Sequence, residues 1–132
     1  MSRVVEELWI FSRDGIPLLE IFKNTDLDQT LIGAFLSAMK SFTEGLSGKS
    51  LKSFSFGAEK FLMIPSHNDN VFLVSKYNSS VKEKKIQKLM NVIIKFFEEM
   101  YTTKDIEEWD GNISYFDKFK DRLELYFELS QV

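Results

Sequence analysis

Two apolar runs separated by a short polar segment constrain the fold more than any other feature of this sequence. Phe61–Ile64 and Val71–Val74 are apolar throughout, and the polar turn Ser66–Asn70 lies between them. Such a link joins antiparallel neighbours, because a parallel return needs about a dozen residues or more. Side chains alternate between the faces of a strand, so runs without polar alternation predict a sheet covered on both faces.

A hairpin is predicted at the start of the chain. Val4–Phe11 and Pro17–Lys23 are apolar runs joined by the turn Ser12–Gly15, in which glycine can adopt a positive φ. Proline is tolerated near the start of the second strand, where a missing N–H does least harm. The remaining strands are predicted at Leu51–Phe56, Lys60–Pro65 and Val71–Tyr77.

Helical spacing appears in three places. After a start signal at Asn24–Asp28, apolar residues recur every three or four positions until Gly48, which predicts the first helix. Ser80–Glu83 matches a capping box and predicts a second helix that ends near Tyr101. A third helix is predicted from about Ser114 to Leu129, after a charged connection.

The predicted order is therefore β-β-α-β-β-β-α-α, within one domain spanning residues 1–132. This is an α/β (α+β) fold with a five-stranded, mainly antiparallel sheet. Both sheet faces need cover, so we expect the first helix on one face and the last two on the other. Phe supplies 13 of the 132 residues and can fill these interfaces without a polar group to satisfy.

Composition excludes several classes of function. The chain has no Cys, which excludes disulfides and thiol catalysis and favours the cytoplasm. Its net charge of −3 gives no bias toward nucleic acid. Glu6 and Glu7 interrupt what would be the apolar part of a signal peptide, and no run approaches the ~20 apolar residues of a membrane span.

No residue pattern predicts an enzyme, a cofactor site or a metal site. His67 is the only histidine and lies in a polar turn, so we interpret it as a solvated turn residue. The neighbouring Asn68-Asp69-Asn70 lacks the spacing of an EF-hand loop and fits a hairpin turn. The glycines match neither a P-loop nor a dinucleotide fingerprint, so binding of GTP by the chain itself is not expected.

The hairpin Leu8–Leu18, the amphipathic helix directly after it, and the strand Leu51–Phe56 together resemble the opening of a longin domain. A roadblock domain would carry a helix before its first strand, which this chain lacks. The resemblance implies a protein-interaction platform that works with small GTPases or vesicle-trafficking complexes. SNARE members of the family continue into a coiled coil and a membrane anchor, whereas this sequence ends at Val132 with neither. We therefore expect a stand-alone or complex-subunit longin.

The resemblance also implies a homodimer, or a heterodimer with another longin or roadblock protein, formed through the first helix and the following strand. Ile32, Leu36 and Met39 form a second apolar stripe beside the main face of that helix, and either widen the core contact or meet a partner. The partner side of the strand would expose Leu51, Ser53 and Ser55, with Lys52 as the one charged residue protecting the edge.

A basic cluster opens the second predicted helix. Lys82, Lys84, Lys85 and Lys88 crowd its start, against the preference of the helix dipole for acids there. The cluster is either a solvated face or a patch for an acidic protein or an anionic membrane, where the contact would be peripheral. The alternative to the longin platform is a small-molecule sensor of the PAS or profilin-like type, which would need a cavity between sheet and helix.

Overall fold

The computed structural model describes residues 4–22, 29–44 and 52–130. Its strands are β1 (Val5–Ser12), β2 (Pro17–Ile21), β3 (Lys52–Phe56), β4 (Glu59–Ser66) and β5 (Val71–Tyr77). Its helices are α1 (Gln29–Glu44), α2 (Glu83–Met100), α3 (Thr103–Glu107) and α4 (Asp117–Ser130), and a 3₁₀ turn at Ile113–Phe116 precedes the last one.

The five strands form one sheet in the order β2-β1-β5-β4-β3, with every neighbouring pair antiparallel. The apolar runs Phe61–Ile64 and Val71–Val74 lie in adjacent strands, and Ile64 of β4 pairs with Leu73 of β5. The opening hairpin places β1 against the other side of β5, where Ile10 also pairs with Leu73. The sheet therefore ends at β2 on one side and at β3 on the other.

One face of the sheet is covered by α1. Phe35 is its central contact, and the ring lies 5.5 Å from Trp9, 5.4 Å from Phe11 and 5.2 Å from Phe61 between centroids. Leu31, Ala38 and Met39 join this cluster. These residues occur at the three- and four-residue spacing that predicted the helix.

The opposite face is covered by α2, α4 and the 3₁₀ turn. Phe97 of α2 is fully buried and lies 5.1 Å from Phe119 of α4 and 6.1 Å from Phe116 of the turn. Strand residues Leu8, Leu62 and others that alternate with the α1-facing set pack against these helices. The predicted α+β, longin-like fold class, with one helix on one face and two on the other, is confirmed.

Two local predictions differ from the structure. The capping box at Ser80–Glu83 is wrong: Ser80 instead donates to Asn78 Oδ1 at 2.7 Å, and α2 begins after Lys82 with no side-chain cap. The capping box lies at Thr102, which opens α3 inside the segment predicted as a connection. The predicted helix start at Asn24–Asp28 and the predicted stop at Gly48 both lie outside the described residues.

Candidate functional site

The edge strand β3 is the first part of the candidate site. Its described sheet neighbour is β4, with Phe54 opposite Phe61. The Phe54 ring stacks 5.4 Å from Phe61 and lies 5.9 Å from Phe35, which holds the strand against the α1 side of the sheet. Ser53 and Ser55, which point to the other face, are exposed. The predicted edge position of this strand is therefore confirmed, while Leu51 lies outside the described residues.

The second apolar stripe of α1 divides between core and surface. Met39 is 3% exposed and belongs to the cluster around Phe35. It therefore widens the contact between α1 and the sheet and is not part of a partner surface. Ile32 is half-buried. Leu36 is 38% exposed and is the member of the stripe that stays available to a partner.

Leu36 lies at the β1–β2 hairpin. Gly15 has a φ of +84°, and a Cβ added there would fall 2.5 Å from Leu36 Cδ2. The glycine is therefore needed both for its backbone conformation and for the close approach of the leucine. With Arg13, Met39, Lys40 and Phe72, Leu36 lines a cavity of about 230 Å³. The helix contacts β3 through Phe35 instead, so Leu36 and the β3 edge are two separate surfaces.

The prediction of a solvated His67 is wrong. The residue is 6% exposed, and its ring is held between the β4–β5 turn and the end of α2. Nε2 lies 2.7 Å from the Tyr101 carbonyl oxygen and Nδ1 lies 2.9 Å from Ser66 Oγ. Because a carbonyl oxygen only accepts, Nε2 is the donor of the first bond. The Phe97 ring covers the imidazole at 5.1 Å between centroids.

The arrangement of Ser66, His67 and Glu98 is that of a structural tie. Ser66 Oγ donates to Glu98 Oε2 at 2.9 Å, so the serine stands between the imidazole and the carboxylate. In a nucleophilic triad the histidine stands between the serine and the acid, with its second nitrogen held by the acid. Here the second nitrogen is held by a backbone carbonyl, and the three residues join the turn to α2.

The turn that carries His67 has an uncommon backbone. His67, Asn68 and Asp69 have φ values of 54°, 56° and 63°, a left-handed run of three residues without glycine. Such conformations persist only where surrounding contacts hold them. Here the Asn70 side chain donates to the His67 carbonyl oxygen at 2.8 Å, and the imidazole is anchored to α2. The turn is therefore fixed in place beside the C-terminal end of that helix.

The predicted basic cluster lies on the surface. Lys82, Lys84, Lys85 and Lys88 are all exposed at the N-terminal end of α2. The structure brings them together on the helix that covers the sheet face opposite α1.

The space between α1 and the sheet is filled with aromatic rings. Trp9 and Phe61 lie 6.3 Å apart, and Phe35 lies between them and Phe54. A sensor domain would hold its ligand in this layer, so the packing counts against the small-molecule alternative. Among the described residues, there is no cluster of three or more His, Cys, Asp or Glu able to hold a metal ion.

Comparisons with known proteins give a structural likeness. No protein-family model matches the chain, and a search of curated proteins finds no match. Among solved structures, the chain is similar to a chain in the structure of the mammalian SRP receptor, with a TM-score of 0.54 and 15% identity. The likeness covers 99% of this chain and 100% of that chain. At this identity the likeness shows the fold.

No helix within the described parts of the chain is both long enough and apolar enough to span a membrane.

Proposed function

We propose that the chain is a non-catalytic interaction platform of the longin type. It pairs through the β3 edge with a second copy of itself or with another longin or roadblock protein. The position of β3 is the observation that carries the proposal, because the strand ends the sheet and exposes Ser53 and Ser55 beside its backbone. An edge strand presents a row of backbone donors and acceptors to which another strand can add.

The pair then presents its surfaces to a small GTPase or a trafficking complex in the cytoplasm. The mechanism is equilibrium binding, with no covalent bond made or broken. Support for the GTPase comes from the resemblance to longin domains, and the likeness to a chain of the mammalian SRP receptor supports the fold on which that resemblance depends.

Leu36 belongs to a second surface of the platform. It is exposed beside the hairpin and not beside β3. Pairing at the edge therefore leaves this leucine accessible to the third component. A Leu36→Asp variant should keep the pairing and weaken the capture of that component.

Charge reversal at the edge tests the pairing. In a symmetric antiparallel pair the two copies of β3 face each other, and like charges opposite one another destabilise the contact. We expect Ser53→Asp with Ser55→Asp to convert the associated protein to a monomer in sedimentation equilibrium. The matched control, Ser79→Asp with Asn91→Asp, adds the same charge at exposed positions away from the edge and should associate as the wild type does.

The partner is sought with paired baits. The wild type and the edge variant are used in parallel to capture proteins from native lysate. The proposal expects longin or roadblock proteins, or untagged copies of this chain, with the wild type and few with the edge variant. Equal recovery by both baits, or a wild type that is monomeric and captures none of these proteins, would contradict it.

A further inference from the structure

The hydrogen bonds around the buried His67 ring require one hydrogen more than neutral groups supply. Nε2 lies 2.7 Å from the Tyr101 carbonyl oxygen, and Nδ1 lies 2.9 Å from Ser66 Oγ. Ser66 Oγ in turn lies 2.9 Å from Glu98 Oε2. A carbonyl oxygen and a carboxylate only accept, so the two outer bonds take their hydrogens from the imidazole and from the serine. The middle bond then needs a hydrogen of its own.

Counting hydrogens shows which protonation state forms all three bonds. A neutral imidazole has one N–H, and the Tyr101 carbonyl takes it. Ser66 has one O–H, which can serve either Glu98 or Nδ1, but not both. A second N–H on the ring removes this conflict, because Nδ1 then donates to the serine while the serine donates to the carboxylate. A protonated Glu98 would also complete the chain of bonds, but an imidazole is ordinarily the more basic group, so the additional proton belongs on the ring.

The groups that face the ring favour a positive charge. The Tyr101 carbonyl lies at the C-terminal end of α2, where the helix macrodipole stabilises a cation. Glu98 of α2 and Asp69 of the turn line one cavity together with the histidine. The pKa of Asp105 in α3 is lowered mainly by its hydrogen bonds with Thr102, the backbone N–H first, and a charge on the imidazole lowers it further. Carboxylates from three elements therefore surround the ring.

Burial and the neighbouring cations act against a charge on the ring. Lys104 of α3 pairs with Glu108 at 4.0 Å, and the exposed Arg13 of the β1–β2 hairpin joins the turn through its backbone N–H, 3.0 Å from the Asn70 carbonyl oxygen. The cavity beside the turn has a volume of about 550 Å³ and is lined by both Ser66 and His67. Water in this cavity gives the buried ring a route for proton exchange with solvent.

We propose that Ser66, His67 and Glu98 form a proton latch, which binds the β4–β5 turn to α2 when both ring nitrogens carry a hydrogen. Loss of the Nδ1 hydrogen leaves the serine with two acceptors and one O–H, so one of the three bonds is broken. The left-handed turn depends on such contacts, and it loosens as the pH rises. The charge of a histidine ordinarily changes between about pH 5 and 8, so the latch responds to mild acidification. It is independent of pairing at β3, which involves a different part of the sheet.

NMR of the imidazole nitrogens tests the proton count directly, because His67 is the only histidine in the chain. We expect nitrogen-15 shifts of a doubly protonated ring at about pH 5, and loss of the Nδ1 hydrogen, with Nε2 keeping its own, as the pH is raised. Over the same titration the amides of residues 67–70 should exchange at least about threefold faster, after correction for the intrinsic pH dependence of exchange.

Three variants separate the latch from a structural bond that does not titrate. In His67→Gln, the corrected exchange of the same amides should stay constant with pH, because the amide side chain does not titrate. Glu98→Gln keeps an acceptor for Ser66 but removes the negative charge, so the titration midpoint of the imidazole should move to lower pH. The matched control Glu99→Gln removes the same charge at the next exposed position and should move the midpoint much less.

Three results would overturn the latch. One is a ring that holds a single hydrogen in the folded wild type at about pH 5. Another is a ring that titrates while the corrected exchange of residues 67–70 stays constant. The third is an equal shift of the midpoint in Glu98→Gln and Glu99→Gln, because the carboxylate would then act only through the net charge of the protein.

Discussion

Replacing Lys76 by methionine is expected to destabilise the protein by about 3 kcal/mol, because its ammonium holds a buried carboxylate. Lys76 Nζ lies 3.7 Å from Glu7 Oε2, 3.7 Å from Glu6 Oε2 and 3.4 Å from Glu59 Oε2. The Glu7 side chain is 1% exposed, while that of Glu59 is 52% exposed. Water can therefore solvate Glu59 after the lysine is lost, but it cannot reach Glu7.

The magnitude follows from the geometry. Two unit charges about 4 Å apart attract each other by about 4 kcal/mol at the effective dielectric constant of a site near a protein surface. Desolvation of the lysine offsets part of this attraction, yet removing one partner of a buried pair still costs about 3–5 kcal/mol. We take the lower end because the Lys76 side chain keeps 14% exposure.

Urea unfolding measures the effect, with Lys60→Met as the control because Lys60 is exposed. The control should lose less than about 1 kcal/mol. Glu7→Gln combined with Lys76→Met should recover most of the stability, since the double variant buries no charge at this pair. A Lys76→Met variant that is no less stable than the Lys60→Met control would refute the reasoning.

The ion pairs of Lys76 also predict that the stability of the protein depends on pH. Burial by itself lowers the pKa of Lys76, but the carboxylates of Glu59, Glu7 and Glu6 outweigh it, and the pKa is raised above 10.5, the ordinary lysine value. A raised folded-state pKa means that the contribution is fully present below that ordinary value and is lost as the pH rises through the folded pKa. The wild type should therefore lose more stability than Lys76→Met in this alkaline range.

Three further variants probe the core, the turn and α3. Phe35→Ala should cost about 3–5 kcal/mol in urea unfolding, and a loss below about 1 kcal/mol would contradict its central place between α1 and the sheet. His67→Ala should cost about 2 kcal/mol by leaving the buried Tyr101 carbonyl unpaired, whereas a solvated turn residue would cost almost nothing. Hydrogen bonds from Thr102, the backbone N–H first, lower the pKa of Asp105, so α3 should keep this contribution above about pH 4 and lose it as the pH falls through the folded value. An NMR titration midpoint for Asp105 at or above its ordinary value would contradict the capping box.

Patterns along the chain were enough to predict the sheet and its layers. The apolar runs at Phe61–Ile64 and Val71–Val74 required cover on both faces, and the structure supplies it with α1 on one side and α2 with α4 on the other. Strand position also followed from order, because short links make sequential strands neighbours. Short links do not decide which strand ends the sheet, so the edge position of β3 was expected only from the resemblance to longin domains.

Features fixed by distant partners could not be predicted in the same way. His67 bonds to the Tyr101 carbonyl oxygen, and its neighbour Ser66 bonds to Glu98; both partners follow about thirty residues later and carry no local signal. The turn residues around it looked solvated because polar composition does not reveal which side chain points inward. Similarly, Ser80 matches a cap by spacing, but its hydroxyl donates to Asn78 Oδ1 and does not accept from the helix backbone.

Helical spacing also could not divide the second stripe of α1. Met39 and Leu36 are neighbours on the helix, but the first reaches Phe72 in the core and the second stops at the hairpin turn. Which of them is buried depends on how α1 packs on the sheet, where the Phe35 ring contacts Phe61 and Leu36 lies against Gly15. The separation of the Leu36 surface from the β3 edge follows from the same packing.

Amide hydrogen exchange in β3 tests the central claim most directly. Exchange is measured in dilute purified protein, in concentrated protein and in the complex recovered from lysate, with α2 as an internal reference. Pairing at the edge predicts slower exchange at the β3 amides in the concentrated protein or in the complex, and unchanged exchange in α2. Amides of β3 that exchange equally fast in all three samples would contradict the account.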